Sequence, residues 1–424
     1  MSDPAQHDPY RALRQPAYRR YLLGNLIGTF GIQMQSVAVG WELYERTHSS
    51  FALGLVGLVS FLPMMLFFLP VGHVVDRFDR RKVVMAAQSG LVLAALGLAG
   101  LSLAQGPIPL MYGLLFLSGT ARAFLGPSKG ALLPEIVPAG AFEGAVAWNS
   151  GTWQLAAVVG PAAGGALLAL SRSPAIVYLG HAVLALGFLF LLAGVKPRAA
   201  PRPPPIVSLD SLLEGARYVR RSRILFAAIT LDLFAVLFGG AVALLPVYAK
   251  DILHVGPAGL GWLLAAESLG AVATTLTLAH LPPLRRAGPA LLRAVATYGA
   301  AIIVFGISRS FLLSFLALAV AGAADSVSVV IRMTLSQLGT PDALRGRVSA
   351  IHSLFIGTSN ELGNFESGTL AALIGPVASV VAGGLGTLIT VAVVAAKWPE
   401  VRRLGRLEGA LTPLPLIADS GGSP

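Results

Sequence analysis

Long apolar runs recur along the whole chain, separated only by short polar breaks, and this recurrence dictates the solvent the chain must fold in. The runs fall at 18–45, 51–75, 83–105, 107–135, 141–171, 174–195, 223–250, 257–281, 287–308, 310–338, 344–372 and 376–397. A helix that crosses a bilayer needs about 20 mostly apolar residues, so each run is long enough to span. The pattern predicts an all-α integral membrane protein of twelve transmembrane helices. Composition agrees: 55% of the residues are apolar and 12% charged, about half the roughly 25% charged share of soluble domains. Secreted, disordered and fibrous classes are excluded. The 48 glycines suit close helix packing in lipid, where small residues let backbones approach. The absence of cysteine rules out disulfides, thiolate metal sites and cysteine nucleophiles.

Charge sets the expected sidedness. Of the 31 Lys and Arg residues, Arg46, Arg172, Lys250 and Arg309 fall in loops on one side, and Arg122 and Arg332 fall within helices. All the others, Lys129 among them, are assigned to the opposite side. The positive-inside rule makes that side cytoplasmic and puts both termini there. The net charge of +11 is therefore spread along a membrane face, beside anionic lipid and without aromatic interleaving, which argues against nucleic acid. The first apolar run carries Asn25, Gln33 and Gln35 and no small-residue cleavage site, so it reads as a retained helix.

One break differs from the rest. Residues 196–222 hold Pro197, Pro201, Pro203, Pro204 and Pro205, then Leu209, Leu212, Leu213, Ala216 and Val219 on one helical stripe. This predicts a stiff linker followed by an amphipathic helix on the inner membrane face. The expected organisation is a cytoplasmic segment 1–17, a six-helix half 18–195, the linker 196–222, a second six-helix half 223–397 and a cytoplasmic tail 398–424. The halves repeat each other: Arg80-Arg81 corresponds to Arg285-Arg286 at an offset of 205, and Ala141-Phe142-Glu143-Gly144 to Ala343-Leu344-Arg345-Gly346 at 202. Parallel duplicated halves are a transporter plan with the substrate site at mid-membrane between them.

After the second run stands Gly72-His73-Val74-Val75-Asp76-Arg77-Phe78-Asp79-Arg80-Arg81-Lys82. An aspartate at the C-terminus of its own helix meets the negative end of the dipole, so Asp76 is expected to serve another element. The start of the eleventh run, with Arg345 and Arg347, offers free amides and guanidiniums on the same face. The loop resembles the signature loop of the major facilitator superfamily, with Asp79 in place of its inner glycine. That resemblance implies a cytoplasmic gate between the halves built on Gly72, Asp76, Arg77, Arg80 and Arg81.

In the fifth run, Gly160-Pro161-Ala162-Ala163-Gly164-Gly165 resembles the antiporter motif of the same superfamily, with Ala156 at its first glycine. Proline bends the helix and the glycines offer a smooth face; a plain packing kink has the same appearance. Arg122 four residues before Gly126 is a fragment of another superfamily motif. With Asp325, Arg332, Thr340-Pro341-Asp342 and Asn360-Glu361, the chain is similar to the drug/proton antiporter branch that holds macrolide and enterobactin exporters.

Seven ionisable residues are expected deep within the helices: Arg122, Asp232, Glu267, Asp325, Arg332, Glu361 and Glu366. Each costs a few kcal/mol on insertion scales unless paired or hydrated. Two arginines cannot neutralise five carboxylates, so some carboxylates are expected to be protonated, hydrated or near the membrane ends. They are either structural ion pairs or proton carriers. Asp325 and Arg332 stand seven apart, about 10 Å in rise, and each is expected to pair with another helix. Glu361 and Glu366 lie about 140° apart on an unbroken helix and cannot face one spot. Arg122, Asp325, Arg332 and Glu361 are expected to form the polar centre of the cavity. Trp153 alone among the tryptophans sits deep enough to line it, while His181 and His352 are expected as hydrogen-bonded packers.

No Walker loop, dinucleotide fingerprint, G-x-S-x-G elbow or paired-His spacing occurs, so neither enzyme activity, cofactor nor metal is expected. The sequence points to a monomeric secondary transporter of the inner membrane that exports a small organic molecule against proton entry. An importer or uniporter, and a transport-inactive scaffold or sensor, remain the alternatives.

Overall fold

The computed structural model describes residue 8 and residues 10–198, 209–282 and 285–405. Pro201 and Pro203–Pro205 of the linker and the tail from 406 lie outside the described residues. The helices run α1 (Pro16–Thr47), α2 (Ser50–Arg77), α3 (Arg80–Leu103), α4 (Ile108–Ile136), α5 (Phe142–Ser171) and α6 (Pro174–Ala193), then the linker helix α7 (Leu209–Arg221). The second half holds α8 (Arg223–Phe238), α9 (Leu245–Val247), α10 (Gly256–His280), α11 (Ala287–Ile307), α12 (Phe311–Leu338), α13 (Asp342–Ile374) and α14 (Pro376–Lys397), with a last turn α15 (Pro399–Arg403). Proline opens α1, α6 and α14, where its missing N–H is not needed and its fixed φ suits the first turn.

Eleven helical segments among the described residues are long and apolar enough to cross a membrane. The twelfth long helix, α13, has 33 residues and is about 50 Å long. Arg345, Arg347, Glu361 and Glu366 keep it below the apolarity of the others. That exception is informative, because a helix can carry charge at membrane depth only where it faces protein or water.

The seventh span is broken. Its α-helix stops at Phe238, and Gly239-Gly240, a 3-10 turn at Ala241–Leu244, the short α9 and a π turn at Tyr248–Ile252 complete the crossing. The freed backbone is held by protein: Tyr298 Oη donates to the carbonyl of Gly239 at 3.1 Å, and Gly240 leaves no room for a Cβ against the backbone of Gly363. Irregular backbone at this depth is tolerated where it lines a cavity.

Between the halves, α2 packs on α13 and α5 on α10. At the end that the charge pattern assigns to the outside, these contacts are backbone to backbone. A Cβ at Gly261 would run into the carbonyl of Pro161, and one at Gly57 into the carbonyl of Glu361. Tyr44 donates to the Asp251 carboxylate, and Lys250 bridges to Glu45 at 2.7 Å. One apolar core, including Met34, Leu43, Leu53, Leu244, Tyr248 and Leu260, runs through both halves at this end. At the opposite end each half keeps its own core, one around Tyr18, Leu132 and Phe188, the other around Leu225, Leu291 and Leu344. The conformation is thus shut at one end and divided at the other.

The linker helix also packs on protein. Tyr218 and Val219 are buried against Leu225, Leu344 and Val348, Tyr218 Oη donates to Gly339 O at 2.6 Å, and Gly215 lies against the backbone of Arg347. Of the expected stripe, Val219 is buried against protein and Leu213 is 49% exposed, so the start of α13 covers one part of the helix and leaves Leu213 open.

Asp79, the departure from the superfamily loop, caps α3. Its φ is −60°, which needs no glycine, and its carboxylate accepts the Lys82 N–H at 3.1 Å. Replacing such a cap by alanine costs about 0.5–2 kcal/mol and by glycine a few tenths. Asp79→Ala is therefore expected to lower the melting temperature of the purified protein measurably, and Asp79→Gly to leave it close to wild type.

Candidate functional site: a divided central cavity

Two adjoining compartments lie between the halves. The smaller, about 250 Å³, is lined by α1, α2 and α4 of the first half, by the broken span and α10, and by α13; its polar walls are Gln33, Gln35, Ser36, Ser60, Ser118, Arg122, Glu361 and Asn364. The larger, about 470 Å³, is lined from the first half by α5 and from the second by α8, α10, α11, α12 and α13, with Trp153, Gln154, Glu267, Thr275, Tyr298, Asp325 and Asn360. Val242 of the broken span and Asn364 line both.

The seven intramembrane charges separate. Arg122 is exposed to the cavity and makes no ion pair among the described residues. It shares the smaller compartment with Glu361. Glu267 and Asp325 face the larger one together. Arg332 and Asp232 line neither: both are buried, with side chains 3% and 7% exposed, and form an ion pair between α12 and α8. Arg332 also reaches Asp325 at 3.6 Å and donates through Nε to Ser328 O at 3.3 Å. Arg332 is thus a staple beside the cavity and not part of its wall, contrary to its expected place in the polar centre. Its long side chain spans the seven-residue gap that the helical rise alone leaves open. Glu366, turned away from Glu361, lines neither compartment and accepts from the Ser367 hydroxyl at 3.3 Å.

Sequence reasoning passed over several buried polar contacts, one on the cavity wall and others outside it. Gln35, 93% buried (7% exposed), is held by His181 at 2.6 Å, so His181 is tied to the cavity wall and not merely packed. The signal was available in the run of Gln33 and Gln35 inside an apolar helix. Glu42, 4% exposed, accepts from Tyr178 Oη at 2.8 Å and pairs with Arg46 at 3.3 Å. Lys129, expected among the cytoplasmic charges, lies inside α4 and donates to Asn25 of α1 at 2.8 Å.

Of the α2–α3 loop, Arg80 bonds Glu135 at 2.9 Å and the carbonyl of Ala131 at 3.1 Å. Arg81 donates to the carbonyls of Leu192 and Ala193 at 3.1 and 2.5 Å. Both sit where guanidinium charge complements helix C-termini, and both stay within the first half. Asp76 and Arg77 have neither hydrogen bond nor ion pair among the described residues. On α13, Arg345 pairs with Asp342 at 2.8 Å, and Arg347 is bonded to Glu214 of the linker helix. The two sides of the expected gate share no hydrogen bond or ion pair among the described residues. In α5, Gly160 and Gly164 admit α1 at Gln33 and Met34, while Gly165 admits Pro257 and Gly261 of α10; Pro161 lies inside the helix without ending it.

A family of transmembrane secretion effectors in the major facilitator superfamily matches residues 7–414. The chain belongs to that family. It is 31% identical over 396 residues to the enterobactin exporter EntS of Escherichia coli O1:K1 / APEC, covering 92% of this chain and 93% of the relative. It is equally 31% identical, with the same coverage, to EntS of Citrobacter koseri. Among solved structures, a bacterial homologue of the human lysosomal transporter Spinster, inward-facing and unoccupied, gives a TM-score of 0.69 at 15% identity over 95% of this chain and 99% of that one. A D-xylose–proton symporter gives 0.69 at 14% identity over 95% and 100%. These establish the major facilitator fold, two halves of six helices. The secretion effector is a multi-pass membrane transporter and not an enzyme.

The staple is open to a clean test. Removing one partner of a buried ion pair costs about 3–5 kcal/mol, whereas replacing both by apolar side chains is often neutral. Asp232→Leu and Arg332→Met singly are expected to lower thermal stability in detergent strongly, and the double variant to recover most of the loss.

Proposed function

We propose that the protein exports a small organic molecule across the cytoplasmic membrane by alternating access, driven by proton entry, as a monomer with both termini inside. The reading rests on one observation above all: four charges, Arg122, Glu267, Asp325 and Glu361, face a cavity between the halves in a chain whose relatives are named as exporters. The domain boundaries follow the same reading, with halves at 18–195 and 223–397 joined by the linker 196–222.

Glu361 is the proposed proton carrier. It shares its compartment with Arg122 and is hydrogen-bonded to Asn364 but is in no ion pair among the described residues, so its charge can be exchanged for a proton as the cavity opens to either side. Glu267 and Asp325 are the second acidic site, and Asp232 with Arg332 holds α8 to α12 beside them. Gly160, Pro161, Gly164 and Gly165 supply the close face on which α5 moves against α1 and α10. Gly72, Asp76, Arg77, Arg80 and Arg81 with Arg345 and Arg347 form the inner gate, which engages when the inner ends of α2 and α13 meet. Charge-assisted hydrogen bonds there contribute roughly 1.5–3 kcal/mol.

Proteoliposomes separate this reading from its rivals. Substrate efflux from cells, and substrate-driven proton movement in vesicles, are expected for the wild type. Glu361→Gln is expected to fold and to lose proton dependence; unchanged coupled flux removes Glu361 from the mechanism. Import, or flux without proton movement, contradicts the export reading, and absence of any flux with retained partner binding marks a scaffold.

A further inference from the structure

The cavity's charges are sorted by half. Every cationic lining residue belongs to the first half, and that is Arg122 of α4; every lining carboxylate belongs to the second, Glu267 of α10, Asp325 of α12 and Glu361 of α13. Arg122 is exposed and without an ion pair among the described residues, next to Gln33, Ser36 and the anchored Gln35. The larger compartment holds the two acids Glu267 and Asp325 with the Tyr298 hydroxyl and, from the opposite wall, the ring of Trp153. The walls also carry apolar side chains, among them Val39, Val56, Leu115, Val236, Leu260 and Val272, and the compartments meet at Val242 and Asn364.

We propose that this cavity takes a zwitterionic organic substrate with an apolar body, its acid end on Arg122 and its amine end on Glu267 and Asp325. The inference rests on the export reading and deepens it. A purely cationic guest would gain the two acids but leave Arg122 with Glu361 as its counter-charge, so that a proton on Glu361 would strand the guanidinium in a closing, low-dielectric space. A purely anionic guest would gain Arg122 but face three carboxylates. A two-ended guest answers both poles, and an amine is further favoured over the Trp153 ring. Glu361, in the compartment of the acid end, is then left to carry the proton, so substrate and proton use different carboxylates.

The test is calorimetric titration of the full-length protein in detergent with four probes on one scaffold. They are phenylalanyl-phenylalanine, its C-terminal amide, its N-acetyl form and the doubly blocked form. The free dipeptide is expected to bind tightest, and blocking either end to weaken binding roughly tenfold or more, the range of a charge-assisted hydrogen bond. Arg122→Gln is expected to make acid and amide bind alike while a free amine still counts. Asp325→Asn combined with Glu267→Gln is expected to do the reverse, so each variant carries its own folding control in the pole it keeps. The proposal is overturned if the amide binds as tightly as the acid and Arg122→Gln changes nothing, which marks a cation site. It is equally overturned if the N-acetyl form binds as tightly as the free amine, or if all four probes bind alike or none binds. Binding is read without a gradient, so these failures leave the export reading standing, whereas absent flux overturns export without touching pole selectivity.

Discussion

Hydrocarbon offers a charge no solvent, and each ionised side chain in the membrane must find a partner, water or a proton. In this chain that constraint sorts the intramembrane charges into distinct uses. Asp232 and Arg332 answer each other and disappear from solvent, holding α8 to α12. Arg122, Glu267, Asp325 and Glu361 are left facing the cavity, Asp325 with Arg332 at 3.6 Å and the other three without an ion pair among the described residues, and a charge left unpaired in a membrane is available for work. At the shut end Glu42, Glu45, Lys250 and Asp251 are satisfied by Tyr178, Arg46, Tyr44 and one another. Those last contacts join α1 to the end of the broken seventh span, so their charges also tie the two halves.

The same solvent explains the glycines. Lipid supplies no hydrophobic drive for helices to meet, and close backbone approach provides the packing energy instead. Gly165 against Gly261, and Gly54 and Gly57 against Gly368 and the backbone at Glu361, bring the halves to contact at one end. The opposite end has separate cores and an unengaged Asp76. Arg347 is meanwhile bonded to Glu214 of the linker helix, so one basic residue of the proposed inner gate is held by the linker in this conformation.

Much of this architecture is legible in the sequence because it depends on one-dimensional quantities. Span length, apolarity and the distribution of Lys and Arg gave twelve runs, and even the charged α13 was bracketed at 344–372 against Asp342–Ile374. The break in the seventh span was signalled by Gly239-Gly240 and Pro246 but reads as an ordinary apolar run when only hydropathy is averaged. Which charge pairs with which depends on the rotation of each helix about its axis. Arg332 and Asp232 are a hundred residues apart, and only packing turns them together. The packing of α7 on the start of α13, through Tyr218, Val219 and Gly215, depends on the same rotation and is not legible from amphipathicity alone.

The central claim is that one rigid pairing of halves cannot be open at both ends, so opening one end closes the other. Distances between spin labels on His48→Cys and His254→Cys report the outer end, and those on Phe78→Cys and Leu338→Cys the inner end, in a chain without native cysteine. Gly261→Leu, which has no room against Pro161, is the perturbation. The account predicts that it lengthens the outer distance and shortens the inner one in the same sample. A longer outer distance with an unchanged inner distance would contradict it.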